Sequence, residues 1–395
     1  WTYDEIKRHL GKETLEDGTA LDEVFAYHYD VKKSGNVDPQ KDPHDELKHQ
    51  NVLIIRGSLE QTAAKFGLSD DTVREGLKKG LDILYRVRQQ RPRPHLDDKM
   101  VTSWNGLMIS AFARAAQVLE RSQEVYEKAA VRAAMFVKEH LYSELDNTLL
   151  RSGYRDGERV VHVGHPVPGF LDDYAFLIQG LLDVYELTFD SSWLAWAEKL
   201  QDKQNELFWD GERCCFYETS DHDASILLRI ADAQDGAEPS GNSMSVRSLL
   251  RLTQFLHRDD FKQQAEKLLA CFGQRLAKVP MALPAMSTGL LLYRHSFQEV
   301  CIVGQKQDQL TQEFLKLLRG EAYMPNRTIV LVDGDTEGNM LYQRNPVLPS
   351  MKVPGRVFVC QDFVCQKPVA SVEELRSCLQ QTMPPPLSSS TSTSS

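Results

Sequence analysis

Three short polar motifs, each followed by a long apolar pattern of helical period, recur along this chain at nearly even spacing. These start motifs occupy residues 102–106 (TSWNG), 169–174 (GFLDDY) and 238–243 (EPSGNS). Steps of roughly 70 residues leave room for a helical hairpin and a loop in each repeat. Because one hairpin cannot bury its own apolar face, such repeats predict a stack or a ring of hairpins. In a ring the start motifs would lie together at one mouth, where we expect the chemistry.

The helices that follow the start motifs are more apolar than the helices that come after them. Residues 102–119 carry one apolar stripe that includes Trp104, Met108 and Val118, and a partner helix is predicted over 123–140. Residues 171–187 are apolar on almost every side, which predicts a helix enclosed by other protein. The helix over 193–207 is amphipathic, and a third pair spans 242–256 and 261–276. Enclosed inner helices with half-exposed outer partners are typical of an α/α toroid.

The pattern changes after residue 293 to alternating strands and helices. Strands are predicted over 300–303, 328–332 and 357–360, with helices over 309–318 and 372–379. This alternation indicates a small α/β unit with a partly parallel sheet. We therefore expect a mainly α protein with an irregular N-terminal segment (1–58), a toroid (59–295), the α/β unit (296–380) and a disordered Ser/Thr-rich tail (381–395).

Composition and charge exclude two classes of partner. The net charge of −10 argues against nucleic acid, whose binding depends on Lys and Arg contacts to phosphates. No apolar run approaches the ~20 residues that span a bilayer, so no membrane partner is expected. The chain begins at Trp1 without a visible leader and is interpreted as a fragment of something longer.

The seven cysteines fit neither a zinc motif nor a Cys-x-x-Cys redox pair. Reduced thiols in a cytosol-like, cytoplasmic compartment are the favoured interpretation, although Cys360 and Cys365 could pair if the loop between them folds back. His162 and His165 precede the second start motif, but their spacing matches no metal site. We therefore predict no metal and no cofactor.

The second start motif places two acids in the first turn of a helix. Asp172 and Asp173 could both be capping carboxylates, since the N-terminus of a helix stabilises negative charge. One cap does not require two acids, however, and adjacent helical positions point about 100 degrees apart. One carboxylate could therefore cap while the other faces the lumen beside Tyr174.

The third and first start motifs add further candidates. Glu238 precedes a proline, which favours an extended backbone that could project its carboxyl group into a cleft. Asp235 and Asn242 flank it, and Ser240 is the expected N-cap. Around the first start motif, Trp104 could be core or a stacking surface, and Asn105 could hold a hydroxyl group. His95 and Asp98 lie just upstream, where a surface or structural histidine is the favoured interpretation of His95.

Carboxylates from different repeats, beside aromatic and amide side chains, suit acid–base chemistry on a sugar-like small molecule. The reaction would be glycosidic cleavage by paired acids or epimerisation by proton abstraction. Asp172 or Asp173 would act with Glu238, Trp104 would stack on the sugar ring, and the remaining candidates would bind hydroxyl groups. These are Asn105, Tyr174, Asp235, Asn242, His95 and Asp98.

Five ordered motifs resemble one family: residues 1–5 (WTYDE), 42–53 (DPHDE through NVL), 99–108, 169–176 and 235–243. The chain resembles the family of spermatogenesis-associated protein 20 and its bacterial thioredoxin-domain relatives, from the first residue to about Gln380. The resemblance implies an α/α toroid of the six-hairpin glycosidase type, similar in shape to N-acylglucosamine 2-epimerases. It also implies an N-terminal thioredoxin-like domain and early toroid helices that this chain lacks, which leaves open whether the ring is complete.

The family resemblance places Trp104, Asn105, Asp172, Asp173, Tyr174, Glu238 and Asn242 at shared positions without marking any of them as catalytic. An alternative function is therefore a non-catalytic binding or scaffold module that serves the thioredoxin-like domain, with the acids acting only as caps. A third hypothesis is a redox role for Cys360 and Cys365.

Overall fold

The computed structural model describes residues 1–162, 164–222, 225–295, 297–333, 340–361 and 364–382. The chain forms two compact units, Trp1–Asp97 and Asp98–Ser395. This division differs from the domain boundaries that the sequence predicts at residues 58 and 295.

The first unit contains four helices: α1 (Tyr3–Leu10), α2 (Leu21–His28), α3 (Leu59–Phe66) and α4 (Asp70–Gln89). Capping boxes begin α1 at Thr2 and α3 at Ser58, as expected for Ser or Thr followed by Glu or Gln. Phe25 of α2 and Leu77 of α4 belong to the same buried cluster. Residues 1–58 therefore share a core with the helices that follow, and the predicted boundary at residue 58 falls inside this unit.

Eight helices form the hairpin part of the second unit. They are α5 (Thr102–Val118), α6 (Gln123–His140), α7 (Leu171–Thr188), α8 (Ser191–Phe208), α9 (Gly241–Leu256), α10 (Asp259–Cys271), α11 (Gly273–Lys278) and α12 (Pro284–Arg294). The pairs α5/α6, α7/α8 and α9/α10 pack as hairpins, while α5, α7, α9 and α12 pack side by side as an inner row. The predicted mainly α class and its arrangement of α/α hairpins are confirmed.

The burial of the inner helices agrees with the sequence at α7 and differs at α5. Helix α7 is buried on every side along most of its length, as its apolar sequence predicts. In α5, Trp104, Met108 and Val118 were expected in the buried stripe but are 55%, 50% and 57% exposed. The buried side of α5 is instead lined by small residues, including Gly106 and Ala113, which face α7.

Glycines set the spacing of the inner row. A Cβ added at Gly106 of α5 would lie 2.6 Å from the backbone nitrogen of Leu177 in α7. One added at Gly180 of α7 would lie 2.8 Å from the carbonyl oxygen of Gly106, and one at Gly289 of α12 would lie 2.7 Å from a methyl carbon of Val246 in α9. Because real Cβ atoms do not approach so closely, larger residues at these positions would push the inner helices apart.

Short strands occupy the connections between the helices: β1 (Met100–Val101), β2 (Tyr142–Ser143), β3 (Thr148–Leu149), β4 (Ser152–Asp156), β5 (Arg159–Val161), β6 (Trp209–Asp210) and β7 (Cys215–Phe216). They pair as β1-β4-β5, β2-β3 and β6-β7. In the last of these pairs, Trp209 lies opposite Phe216 and Asp210 lies opposite Cys215. The connections that precede α7 and α9 are thus fixed by local antiparallel pairing.

The C-terminal part contains the strands β8 (Gln298–Val303), β9 (Arg327–Val332), β10 (Arg356–Gln361) and β11 (Val364–Cys365), with helices α13 (Gln309–Arg319), α14 (Met340–Arg344) and α15 (Val372–Thr382). The sheet order is β11-β10-β8-β9, with β8 and β9 parallel and the other pairs antiparallel. The predicted α/β unit with a partly parallel sheet is confirmed.

The two faces of this sheet belong to different clusters, because alternate residues of a strand point to opposite sides. Val300 and Ile302 pack with Phe314 of α13, whereas Cys301 and Val303 share the large core of the helical hairpins. The sheet therefore continues the hairpin core without a boundary at residue 295. Helix α15 extends to Thr382, and residues 383–395, which carry the rest of the tail predicted to be disordered, lie outside the described residues.

Cys360 and Cys365 face each other across β10 and β11 and form a disulfide, so the pairing that the sequence left open is present. Among the described residues, the other five cysteines form no disulfide. Within the part of the chain that the structure describes, no helix has the length and hydropathy needed to cross a membrane.

We predict that Gly106→Ala lowers the melting temperature by several degrees, because the added methyl group would overlap the α7 backbone at a cost of roughly 1–3 kcal/mol. Differential scanning fluorimetry measures the shift. The matched control is Gly273→Ala at the start of α11, where an added Cβ meets no atom within 4 Å. Equal melting temperatures for the two variants would show that the close approach of α5 and α7 does not limit stability.

Candidate functional site

Asp173 connects the first two start motifs. Its carboxylate accepts hydrogen bonds from the backbone N–H of Ser103 at 2.9 Å and from that of Phe170 at 2.8 Å. Ser103 belongs to the first turn of α5, and Phe170 is the N-cap of α7. One carboxylate thus satisfies unpaired donors at the starts of two inner helices. The starts of α5 and α7, 70 residues apart in the sequence, are therefore adjacent in the fold.

The third start motif packs against the second. A Cβ added at Gly241, the first residue of α9, would lie 2.6 Å from Cγ of Leu171 and 3.4 Å from the backbone nitrogen of Asp172. Ser240 caps α9 by accepting from the N–H of Ser243, as expected. The starts of α5, α7 and α9 therefore lie at one end of the inner row, as expected for the mouth of a ring.

Asp172 is held by an arginine rather than by the helix start alone. Nη1 of Arg151 lies 2.6 Å from both carboxylate oxygens of Asp172 and 3.1 Å from Oδ2 of Asp173. The guanidinium group of Arg151 also lies 5.0 Å from the ring centre of Phe170. The Asp172 side chain is 23% exposed, whereas that of Asp173 is fully buried. Of the two adjacent acids, only Asp172 can reach a bound molecule.

Burial raises the pKa of Asp173 to about 7, and the neighbouring charge of Asp172 acts in the same direction. Arg151 and the N–H of Phe170 oppose this rise by stabilising the carboxylate. Asp173 is therefore a buried acid whose charge depends on pH near neutrality.

Glu238 is half-buried, and no described residue forms a hydrogen bond or ion pair with its carboxyl group. Its backbone carbonyl accepts from the N–H of Gly236 at 2.9 Å, which closes a short turn before α9. The carboxyl group is therefore not used as a helix cap.

Three residues that the sequence predicts to bind hydroxyl groups have polar atoms that bind the backbone of this chain. Tyr174 is 1% exposed, and its hydroxyl accepts from the N–H of Leu149 at 2.9 Å. Asn242 is fully buried and bonds both the N–H and the carbonyl of Phe216 at 2.9 Å. Asp235 accepts from the backbone N–H groups of Ser240 and Ala285, which fixes the start of α12 beside that of α9. Their polar atoms are thus occupied by the backbone.

The candidates of the first start motif differ in accessibility. Trp104 is exposed, and Asn105 is half-buried with its amide nitrogen donating to the carbonyl of Val101 at 2.8 Å. Asp98 is half-buried at the beginning of the second unit. His95 is exposed and belongs to the first unit.

Sequence reasoning missed Arg151 and Glu218. Arg151 follows β3 and forms ion pairs with two acids about 20 residues further along the chain. No helical or strand periodicity relates residues that far apart in the sequence. The carbonyl of Glu218 accepts from the N–H of Leu171 at 3.0 Å. Burial raises the pKa of the Glu218 carboxyl group, and Asp232 and Asp172 add to this rise, so Glu218 belongs to the same acidic group. The one sequence signal for Glu218 as a site residue is its position in the loop before the third start motif.

Within the described ranges, no group of three or more His, Cys, Asp or Glu side chains is arranged to hold a metal ion.

We predict that Asp173→Asn changes how stability depends on pH. Folding raises the pKa of Asp173 from 3.8 to about 7. Between pH 3.8 and about 7, the Asp173 carboxyl group is therefore protonated in the folded state and ionised in the unfolded state. This group therefore stabilises the fold fully at low pH and loses that contribution as the pH rises towards about 7. We expect the melting temperature of the wild type minus that of the variant to fall as the pH rises across this range.

Asp259→Asn, at an exposed position in α10, is the control and should retain the wild-type dependence on pH. Parallel curves for the wild type and Asp173→Asn would contradict the raised pKa of Asp173.

Comparison with proteins of known structure gives only weak similarities. A family 105 glycoside hydrolase from C. acetobutylicum is 12% identical, with a TM-score of 0.36 over 56% of this chain and 61% of that one. A cellobiose 2-epimerase from Spirochaeta thermophila is 18% identical, with a TM-score of 0.36 over 45% and 44%. Similarities of this size carry no argument about activity. No family model matches the chain.

Sequence comparison gives much stronger matches. Spermatogenesis-associated protein 20 from Homo sapiens is 37% identical over 386 residues, which cover 96% of this chain and 49% of the human protein. The mouse protein of the same name is also 37% identical, and an uncharacterised protein from Caenorhabditis elegans is 33% identical over 95% of this chain. The chain thus spans about half the length of these relatives. The resemblance that the five motifs predict is confirmed: over almost its whole length, this chain is similar to spermatogenesis-associated protein 20.

Proposed function

We propose that the second unit binds a sugar at the starts of α5, α7 and α9 and acts on it by acid–base chemistry. The observation that carries the proposal is the pair Asp172 and Glu238. These carboxyl groups come from two different hairpins, and each lies at or just before the start of an inner helix. The Glu238 carboxyl group binds no backbone group among the described residues, and Asp172 accepts from one backbone N–H, that of Asp173 at 3.1 Å, while its side chain remains 23% exposed. Two such groups are what glycoside hydrolysis and sugar epimerisation both require.

The surroundings of the two acids assign them different roles. Arg151 lies 2.6 Å from both oxygens of Asp172, and such a charge-assisted contact favours the ionised carboxylate. Asp172 would therefore be the base, or the group that stabilises developing positive charge. Glu238 has no cationic partner among the described residues and would donate the proton. Asp173 would be a positioning residue, because it is fully buried and holds Arg151 and two helix starts.

Trp104 and Asn105 would bind the sugar. The Trp104 ring is 55% exposed one residue after Ser103, whose N–H binds Asp173. An exposed indole beside carboxylates suits stacking on the C–H face of a sugar ring. Asn105 uses its amide nitrogen for Val101, so its amide oxygen would accept a hydroxyl group.

A second candidate function is a binding or scaffold module without catalysis. The observation that favours it is the structural use of Asp173, Asp235 and Asn242, whose polar atoms bind backbone groups. In this case Asp172 and Glu238 would contribute only negative charge to a surface that receives a partner.

We predict that Asp172→Asn and Glu238→Gln each reduce sugar turnover by roughly 100-fold or more, because each removes one group that transfers a proton. The assay uses the purified full-length protein with a panel of gluco- and manno-oligosaccharides. Release of reducing ends reports hydrolysis, and exchange of the C2 proton in deuterated water reports epimerisation.

Glu212→Gln, at an exposed position in the loop between β6 and β7, is the matched control and should retain wild-type turnover. If the wild type turns over a sugar and both Asp172→Asn and Glu238→Gln retain that turnover, these two residues do not have the roles assigned to them. A wild-type protein that binds none of the sugars and turns over none would favour the scaffold function.

A further inference from the structure

At the other end of the inner row, a cavity of about 240 Å³ is lined by an unusual concentration of arginine. Arg114 comes from α5, Arg247 and Arg251 from α9, Arg319 from the end of α13, and Arg327 from β9. The carboxylates among the described lining residues are Asp183 and Glu186 of α7. Five guanidinium groups against two carboxylates leave a formal excess of three positive charges, in a chain whose net charge is −10.

The two carboxylates are already engaged. Oδ2 of Asp183 lies 3.1 Å from Nε of Arg114, and Oδ1 of Asp183 lies 2.8 Å from Nη1 of Arg251. Glu186 pairs with Nη2 of Arg251 at 2.7 Å and accepts from the N–H of Ile329 at 3.0 Å. Neither acid therefore neutralises the remaining three arginines through a direct ion pair.

Those three arginines keep buried N–H donors without an acceptor. Nε of Arg247, Nε of Arg319 and Nη2 of Arg327 are inaccessible to solvent and have no hydrogen-bond partner in the described part of the chain. Arg319 and Arg327 are anchored by other nitrogens, Arg319 to the carbonyl of Glu186 and Arg327 to Gln298 at 2.7 Å. Unmade bonds from buried charged donors are costly, and rotation of these guanidinium groups towards an anion in the cavity would remove that cost.

Burial lowers the pKa of each of these three arginines to about 10, and repulsion from Arg114 and Arg251 contributes at Arg247. All three remain charged at neutral pH. The same cavity includes Val118 and Tyr323, which are both 57% exposed, so solutes can reach it.

We propose that this cavity binds a compact oxyanion in the form of a phosphate group. Planar guanidinium groups match phosphate oxygens through paired N–H donors, and convergent arginines are the usual means of binding such groups. The phosphate is either inorganic phosphate or the phosphate of a small organic ester. The site is separate from the group around Asp172, so it stands whether or not the chain acts on sugars.

The test is titration of the purified protein with inorganic phosphate, and separately with glucose 6-phosphate, at constant ionic strength and in a buffer without other oxyanions. Isothermal calorimetry and the melting temperature both report binding. We expect saturable binding at one site and a rise in melting temperature. Tighter binding of inorganic phosphate identifies the free ion as the ligand, and tighter binding of the ester identifies a phosphorylated molecule.

Arg247→Gln should weaken phosphate binding at least tenfold without lowering the melting temperature in phosphate-free buffer. Among the described residues Arg247 makes no ion pair, and its repulsion from Arg114 and from Arg251 each exceeds its attraction to Asp183. The matched control is Arg132→Gln on the exposed side of α6, which should bind phosphate as the wild type does. A merely structural Arg247 would instead lower stability in both buffers.

A second measurement needs no variant. Phosphate should slow the modification of Arg247 by phenylglyoxal, followed by mass spectrometry, while leaving the modification of Arg132 unchanged. The proposal fails if neither phosphate compound binds saturably, or if Arg247→Gln binds both as tightly as the wild type does.

Discussion

The close approach of α5 and α7 is the contact on which both ends of the inner row depend. The backbones of the two helices meet at Gly106 and Gly180, where an added methyl group would overlap main-chain atoms. At the start of the helices this contact brings Ser103 within hydrogen-bond distance of Asp173. Towards the other end it brings Ser110 and Arg114 of α5 to Asp183 of α7. Small residues at a helix crossing thus determine the positions of charged residues on either side.

Three aspartates of α7 show how position decides the use of the same side chain. Asp173 is buried among backbone donors and binds two helix starts, whereas Asp172 remains partly exposed beside Arg151. Burial alone would raise the pKa of Asp183, but Arg251 and Arg114 hold it well below its usual range. Asp183 also accepts from Ser110 at 2.5 Å and Gln179 at 2.9 Å. It therefore fixes α5, α7 and α9 to one another and stays charged.

The sequence predicts the features that depend on local pattern. The helical hairpins follow from apolar periodicity, and the C-terminal α/β unit follows from the alternation of strands and helices. For Tyr174 and Asn242, the sequence shows that a polar residue lies near a helix start but not that a distant backbone group, that of Leu149 or Phe216, binds it. Arg151 was missed for the same reason, since its partners come from another element. The arginine cavity combines residues of α5, α7, α9, α13 and β9, and no local pattern encodes such a combination.

The proposed function requires two carboxyl groups from separate hairpins to face one bound sugar. The most direct measurement is a crystal structure of the Glu238→Gln variant, which should bind a sugar without turning it over, grown with an oligosaccharide. We expect the sugar ring against Trp104, with the side chains of Asp172 and residue 238 on either side of the reacting carbon. Their separation should be ~5–9.5 Å, the range of paired acids in glycosidases. A sugar bound elsewhere, or the two side chains more than ~10 Å apart, would contradict the proposed function.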